Sequence, residues 1–371
     1  MSQVFAGSRK IIPSIGTQLT HHDLNIRLSP QPGGPRSVEI KAAVLRQFSE
    51  PYEITEVPDP TPGPQDALVR VKAVGICGTD LKISTGAFKD TPLPVILGHE
   101  VAGELVEDAG DMKKGQRVAL QVFHPCGKCR WCLIGEETLC PDPPRIGFNR
   151  DGGLAEYIAV PHTSAIPFAD SLAFESAAVG MDAVLSPWRA LMVRAKVRSG
   201  ESVVVVGAGG LGLSAIQIAS SAGARVAAID PIESHREQAL KVGAEVAVDP
   251  AEAASLVAWS QGGADVVYEA SGRRAGLDTA ASVITMGGRL ICNGWAPDVE
   301  YGMQSRQLVL EEITLIGSRA GTRNDIRSVL RALERGQVTP ATEPHPLEDI
   351  NDVMTRLRAG QVVGRFVIQM A

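Results

Sequence analysis

The chain has 371 residues, a length that suits two or three domains. Its composition, 44% hydrophobic and 21% charged, is that of an ordinary globular protein and excludes a disordered tail, a collagen-like repeat and a coiled-coil rod. With 36 basic against 42 acidic residues the net charge is -6, which gives no electrostatic footprint for nucleic acid or an anionic membrane.

The first 37 residues carry Arg9, Lys10, Arg27 and Arg36 against Asp23, and Pro13 and Gly16 interrupt their apolar stretches. They read as an N-terminal extension without a secretory signal, and the cytoplasm is the expected compartment. Regular structure is expected to begin with the strand-like run 38–45. Pro58, Pro60, Pro62, Gly63 and Pro64 then mark turns before a second strand at 67–74. Strands and loops continue to about residue 165 with no long helical period, a β-rich first region.

Two features of that region carry metal-ligand chemistry. Gly75-Ile76-Cys77-Gly78-Thr79-Asp80 sets a cysteine at a strand end beside a hydroxyl and a carboxylate. Gly98-His99-Glu100 follows a proline-bounded apolar strand expected at 93–97. Singly, Cys77 and His99 read as packed residues; as a pair they need a third ligand from elsewhere in the chain, as catalytic zinc sites do.

Cys126, Cys129, Cys132 and Cys140 follow as C-x2-C-x2-C-x7-C, four of the six cysteines within fifteen residues. Four thiolates this close can surround one tetrahedral Zn(II) as a structural site. An iron–sulfur cluster needs the same four thiolates. Disulfides are the third reading, disfavoured in a cytoplasmic setting.

From about residue 185 the texture changes. Valine-rich strands at 203–206, 225–229, 245–248, 264–268, 289–292 and 313–316 alternate with amphipathic segments, the spacing of βαβ units and a parallel sheet covered on both faces. Helices near 324–335 and 348–359 and a closing strand at 365–369 complete the chain. Residues 202–224 lack charge for 23 positions, long enough to suggest a membrane span, but their glycines and serines argue for a buried strand, turn and helix. The strand runs into Gly207-Ala208-Gly209-Gly210-Leu211-Gly212, a match to GxGxxG. There Gly207 permits the tight turn, Gly209 lets the backbone approach a pyrophosphate and Gly212 lets the helix pack on the strand. The next strand ends at Asp230, placed to accept the adenosine ribose hydroxyls and to repel a 2′-phosphate, so NAD is expected over NADP.

In order and spacing, GICGTD, the LGHE-x-x-G run at 97–103, the four-cysteine lobe, GAGGLG and the closing GRFVI at 364–368 resemble the zinc-dependent alcohol dehydrogenases of the medium-chain dehydrogenase/reductase family. The resemblance implies a GroES-like catalytic domain over 38–184 and 322–371, with a structural zinc lobe at 124–142, around a Rossmann NAD-binding domain at 185–321. It implies that Cys77 and His99 bind a catalytic zinc, that Glu100 can enter or leave its coordination and that Asp80 orients His99. Counting back from Trp188-Arg189-Ala190-Leu191, which looks like a family motif, places the third ligand at Asp182, with Glu175 as the lesser candidate. One thiolate and one carboxylate leave Zn(II) neutral, as two thiolates do.

The implied reaction is reversible oxidation of an alcohol to an aldehyde or ketone with hydride passed to NAD, and Thr79 as the first proton acceptor. A dimer or tetramer is implied as well. Many relatives end the proton relay in a histidine where this chain has Lys82. Trp295 is a candidate for the nicotinamide or substrate face, Cys292 for the core, and His124 a possible competitor in the cysteine lobe. A polyol, sugar or amino-alcohol dehydrogenase on the same scaffold is the alternative. A zinc-stabilised non-catalytic or nucleic-acid-binding relative is a third reading, opposed by the acidic charge.

Overall fold

The computed structural model describes residues 39–370; the extension expected over 1–37 lies outside them. One six-stranded sheet runs edge to edge through Val246–Val248, Arg225–Ile229, Ser202–Val206, Ala264–Glu269, Ile284–Cys292 and Thr314–Gly317, with every pair parallel. The order is that of two mononucleotide-binding halves wound outward from a central strand. Val203, Val204, Val205 and Val206 of that strand are all buried, because helices cover both faces of the sheet. Each such valine removed from water contributes roughly 1.5–3 kcal/mol. Gly207, Asp230, Ala270, Asn293 and Ser318 each lie just beyond the C-terminal end of a strand of this sheet, and all five line one cleft. That is where open parallel sheets bind their ligands.

The second layer system is largely antiparallel. The eleven-residue strand Asp66–Ile76 pairs with Glu100–Leu105, Tyr157–Pro161 and the closing strand Arg365–Gln369. Arg117–Leu120 and Ala165–Pro167 extend one side, and Thr342–Pro346 adds a parallel edge strand on the other. A smaller sheet joins Glu53–Pro58, Glu39–Leu45 and Val95–Ile96. Residues from both before and after the parallel sheet thus build one β structure.

The strand expected at 93–97 is shorter than its apolar run, covering Val95–Ile96 alone. Pro94 has no N–H to give a ladder, and Gly98 turns away at a φ of 90°, a left-handed conformation that favours glycine. The expected strand at 289–292 is the second half of the longer Ile284–Cys292. Helices Arg323–Glu334 and Ile350–Arg358 lie where the amphipathic spacing predicts them.

Candidate active site and metal centres

The short helix Gly78–Ser84 begins at Cys77, which is held from both sides. Its Sγ accepts from the Thr79 N–H at 3.2 Å, while its own N–H donates to Asp80 Oδ2 at 2.9 Å. The other oxygen of Asp80 lies 3.2 Å from His99 Nδ1. His99 Nε2 is thereby aimed at Cys77 Sγ, 3.4 Å away. All three residues are buried.

Glu100 and Asp182 complete the group. One ligand atom from each of Cys77, His99, Glu100 and Asp182 lies within 4.8 Å of the others. Burial alone would lower the His99 pKa, but Asp80 and Cys77 beside it hold it well above its ordinary value. Burial pushes the Glu100 carboxyl up to about 8, and both its oxygens lack a hydrogen-bond partner. A thiol, an imidazole and two carboxyls this close, all but Asp182 buried, are the donor set of a divalent metal, and the N, S and O mixture suits zinc. The residues present fit the group.

Asp182 sits in the turn Gly180–Val184 and accepts from Ser186 Oγ at 2.7 Å. Ser186 Oγ in turn accepts from the Ala320 N–H at 3.1 Å, tying this carboxylate to the segment after Thr314–Gly317. Glu175 is elsewhere: it accepts from Gln369 Nε2 at 2.6 Å and takes no part in the group.

The four lobe cysteines also converge, again with ligand atoms within 4.8 Å. Cys129 and Cys132 sulfurs are 3.5 Å apart, well beyond a disulfide bond, and all six cysteines of the chain are free. The N–H groups of Lys128 and Cys129 pull the Cys126 thiol down to about 6, preparing a thiolate. Burial pushes Cys132 up to about 12. His124 stays outside, with its Nδ1 2.8 Å from Ser164 Oγ and its pKa lowered to about 4, chiefly by burial. The cluster fits a tetrahedral zinc as its spacing predicts.

At the parallel sheet, Gly207 adopts a φ of 92°, and a Cβ on Gly212 would lie 1.9 Å from the Gly207 carbonyl oxygen. A Cβ on Gly209 would meet nothing within 4 Å. Gly212 is small because protein fills the space, Gly209 because the space beside it is open to the cleft. That openness, at the N-terminus of Gly210–Ser221, is what a pyrophosphate requires. Gly210 and Leu211 line the same cleft.

Asp230 Oδ2 accepts from the Ala208 N–H at 2.7 Å and Oδ1 from the Ile232 N–H at 2.9 Å. Burial raises this carboxyl, but those bonds and the nearby His235 outweigh it and hold the pKa low. The cleft has a volume of about 1790 Å³, larger than a drug-sized pocket of roughly 300–1,000 Å³, and accommodates a dinucleotide with a substrate.

The surroundings of Cys292 and Lys82 refine the sequence picture. Cys292 is only partly buried: it packs against the apolar core and, at the C-terminal end of its strand, also reaches the cleft wall. Lys82 is partly buried: its Nζ donates to the Trp295 carbonyl and stands 4.4 Å from the centroid of the Trp295 ring, and burial lowers its pKa, though Cys77 and Asp182 nearby oppose this.

One residue absent from the sequence reading is Arg365. Its Nη2 stands 3.2 Å from Glu100 Oε1 and 3.8 Å from Asp182 Oδ2. A Cβ on Gly210 would lie 3.2 Å from its guanidinium carbon, so it also touches the glycine turn. The signal was a charged residue at the head of the apolar closing strand.

Residues 63–170 match the alcohol dehydrogenase GroES-like domain, and residues 210–335 the zinc-binding dehydrogenase family. The chain therefore belongs to the zinc-dependent alcohol dehydrogenases of the medium-chain dehydrogenase/reductase family. It is 36% identical to an alcohol dehydrogenase of Geobacillus stearothermophilus over 339 residues, covering 89% of this chain and all of that one. An NAD-dependent alcohol dehydrogenase of Sulfurisphaera tokodaii is 31% identical over 350 residues, covering 89% of this chain and 99% of its own. The cobalt- and zinc-bound thermostable alcohol dehydrogenase of Pyrobaculum aerophilum has a similar structure, with a TM-score of 0.83 and 31% identity across 90% of this chain and all of that one.

Proposed function

We propose that the protein reversibly oxidises an alcohol to an aldehyde or ketone with NAD as hydride acceptor. The observation that carries this reading is convergence. Cys77, His99 and Asp182 of the metal group and Gly207, Gly209, Gly210, Leu211 and Gly212 of the glycine turn line one cleft, and Arg365 touches both, with Glu100 buried behind it.

Cys77, His99 and Asp182 would hold one zinc, with Glu100 as an alternate ligand, and the four lobe cysteines a second. Zinc in the first site supplies a Lewis acid that lowers the pKa of an alcohol. Asp80 fixes the tautomer and ring orientation of His99. Thr79, at the start of its helix and lining the cleft, takes the alcohol proton and passes it toward solvent. Gly207, Gly209, Gly210, Leu211 and Gly212 cradle the pyrophosphate, and Asp230 accepts from the adenosine ribose. NAD held there would supply the hydride acceptor, and a cleft that holds both reactants removes much of the entropic barrier.

The domain division we favour is a catalytic domain of 38–184 and 322–371 around a cofactor domain of 185–321. The discontinuous antiparallel sheet and the six-stranded parallel sheet support it. No helix among the described residues is long and apolar enough to cross a membrane. Reduction of NAD and of NADP across primary, secondary and polyhydroxy alcohols tests the reading. NAD-linked turnover at least ~10-fold faster than NADP-linked is expected, a margin of about 1.4 kcal/mol. Equal rates with both cofactors would contradict the role of Asp230.

A further inference from the structure

The metal end of the cleft is walled by aromatic rings, and cations stand on those rings. Phe148 packs on His99 with ring centroids 5.1 Å apart. Phe88 meets Phe148 edge to face at 5.1 Å and Trp295 at 5.4 Å. The Arg145 guanidinium lies 5.1 Å from the centroid of Phe148. Lys82 covers Trp295, and the Arg319 guanidinium lies 5.0 Å from the centroid of Phe123. Phe88, Phe123, Phe148 and Trp295 all line the cleft.

Only one of these three cations has a carboxylate partner. Arg145 pairs with Asp90. Among the described residues neither Arg319 nor Lys82 forms a salt bridge with any carboxylate, the cleft's own Asp182, Asp230 and Asp298 included. Arg319 has one backbone partner, the Thr138 carbonyl. It is partly buried, and both that burial and the nearby positive charge of Arg145 lower its pKa. A guanidinium withdrawn from water beside a second cation is costly unless an anion arrives to meet it.

Position decides which anion. Arg319 follows Thr314–Gly317, at the opposite edge of the sheet from Asp230 and the expected adenosine. Its neighbour Ala320 is joined through Ser186 to Asp182. The Arg319 guanidinium lies near Arg145, which covers Phe148, the ring packed on His99, so the unpaired charge stands on the metal side of the cleft rather than beside Asp230.

We propose, resting on the dehydrogenase reading above, that the substrate is an alcohol or carbonyl compound carrying an oxyanion, a carboxylate or phosphate, which Arg319 and Arg145 bind while the carbon chain lies against Phe88, Phe148 and Trp295. A planar guanidinium can meet either oxyanion with two parallel hydrogen bonds, and the aromatic wall tolerates only an apolar body between the two polar ends.

The test uses the zinc-loaded enzyme and alcohols of matched length whose far end is methyl, amide, carboxylate or phosphate ester. In wild type, kcat/KM for one anionic arm is expected to exceed the methyl and amide arms at least ~10-fold, and the faster anionic arm identifies the group. Arg319→Gln should cut that arm about 100-fold and the methyl arm far less, with partial recovery in Arg319→Lys, since a charge-assisted contact is lost and then partly restored. Equal wild-type rates across the four arms overturn the proposal without touching the dehydrogenase reading. If no alcohol is oxidised with NAD, that reading falls, and calorimetric binding of the same compounds decides the anion site alone. Tighter binding of an anionic arm than of the amide, abolished in Arg319→Gln, upholds the site; equal binding overturns it.

Discussion

Asp80 holds the metal group at both ends, accepting from the Cys77 backbone and facing His99 Nδ1. Asp80→Asn keeps the shape but loses the charge that fixes the imidazole. Zinc affinity at this site should fall ~10–100-fold, measured by competition with a chromophoric chelator, while the cysteine lobe keeps its metal. Unchanged affinity would show that Asp80 is a helix cap and no more.

A pH prediction belongs to Asp230 and His235. His235 Nδ1 stands 3.3 Å from Asp230 Oδ1, and that carboxylate raises the imidazole pKa above its ordinary value. A raised histidine stabilises the fold fully below its unfolded pKa of about 6.5 and loses that contribution as pH rises through the folded value. The lowered Asp230 behaves oppositely, stabilising above its unfolded pKa of about 3.9 and losing this as pH falls through the folded value. The pair therefore contributes most between about pH 4 and 6.5. Denaturant unfolding of cofactor-free protein should show His235→Gln losing about 1 kcal/mol more at pH 6 than at pH 9. A pH-independent difference would leave only the lost contact of Nε2 with the Val362 carbonyl, 3.2 Å away.

At the scale of elements, the glycine turn separates structure from binding within six residues. Gly212→Ala drives a methyl into the Gly207 carbonyl and should destabilise the fold by roughly 1–3 kcal/mol, seen as a lower Tm. Gly209→Val places its side chain in open space. Tm should hold within a degree or two while NAD affinity, read by fluorescence titration, falls at least ~10-fold. If Gly209→Val binds NAD normally, the pyrophosphate does not lie there.

The cysteine lobe is an element of another kind. The helix Arg130–Leu133 has no buried residue, so the lobe has little apolar surface to hold it. Replacing Cys129 by Ser should remove one zinc and loosen residues 124–142 to proteolysis before the sheets unfold. Its attachments are ionic. Glu136 meets the buried Arg189, which also donates to Asp325 at 2.8 Å, and Glu137 accepts from Arg323 Nε at 2.9 Å.

Across the whole molecule, what sequence could foretell follows how local each constraint is. The glycine turn and the four cysteines act within a few residues, so spacing alone exposes them. Most strands of the parallel sheet announce themselves because burial on both faces demands continuous apolar runs. Cys77 and His99 are legible as a pair, but Asp182 came only by counting from a neighbouring motif, because nothing in its own surroundings marks it as a ligand. Arg319 and the reach of Lys82 to Trp295 depend on segments that meet only once the chain is packed, and no local pattern announces them, while Arg365 leaves only its charge at the head of an apolar strand. Cys292 shows its core contact in the sequence but not its cleft face, since an apolar strand end looks like core until the cleft beyond it is known.

Cys77, we propose, belongs to a catalytic metal site distinct from the cysteine lobe. Zinc content and NAD-linked alcohol oxidation measured together on wild type and Cys77→Ser test it most directly. Two zinc ions per wild-type chain are expected, one for each ligand group, and a folded variant with one zinc and no turnover. A variant that kept both zinc ions and full turnover would contradict it.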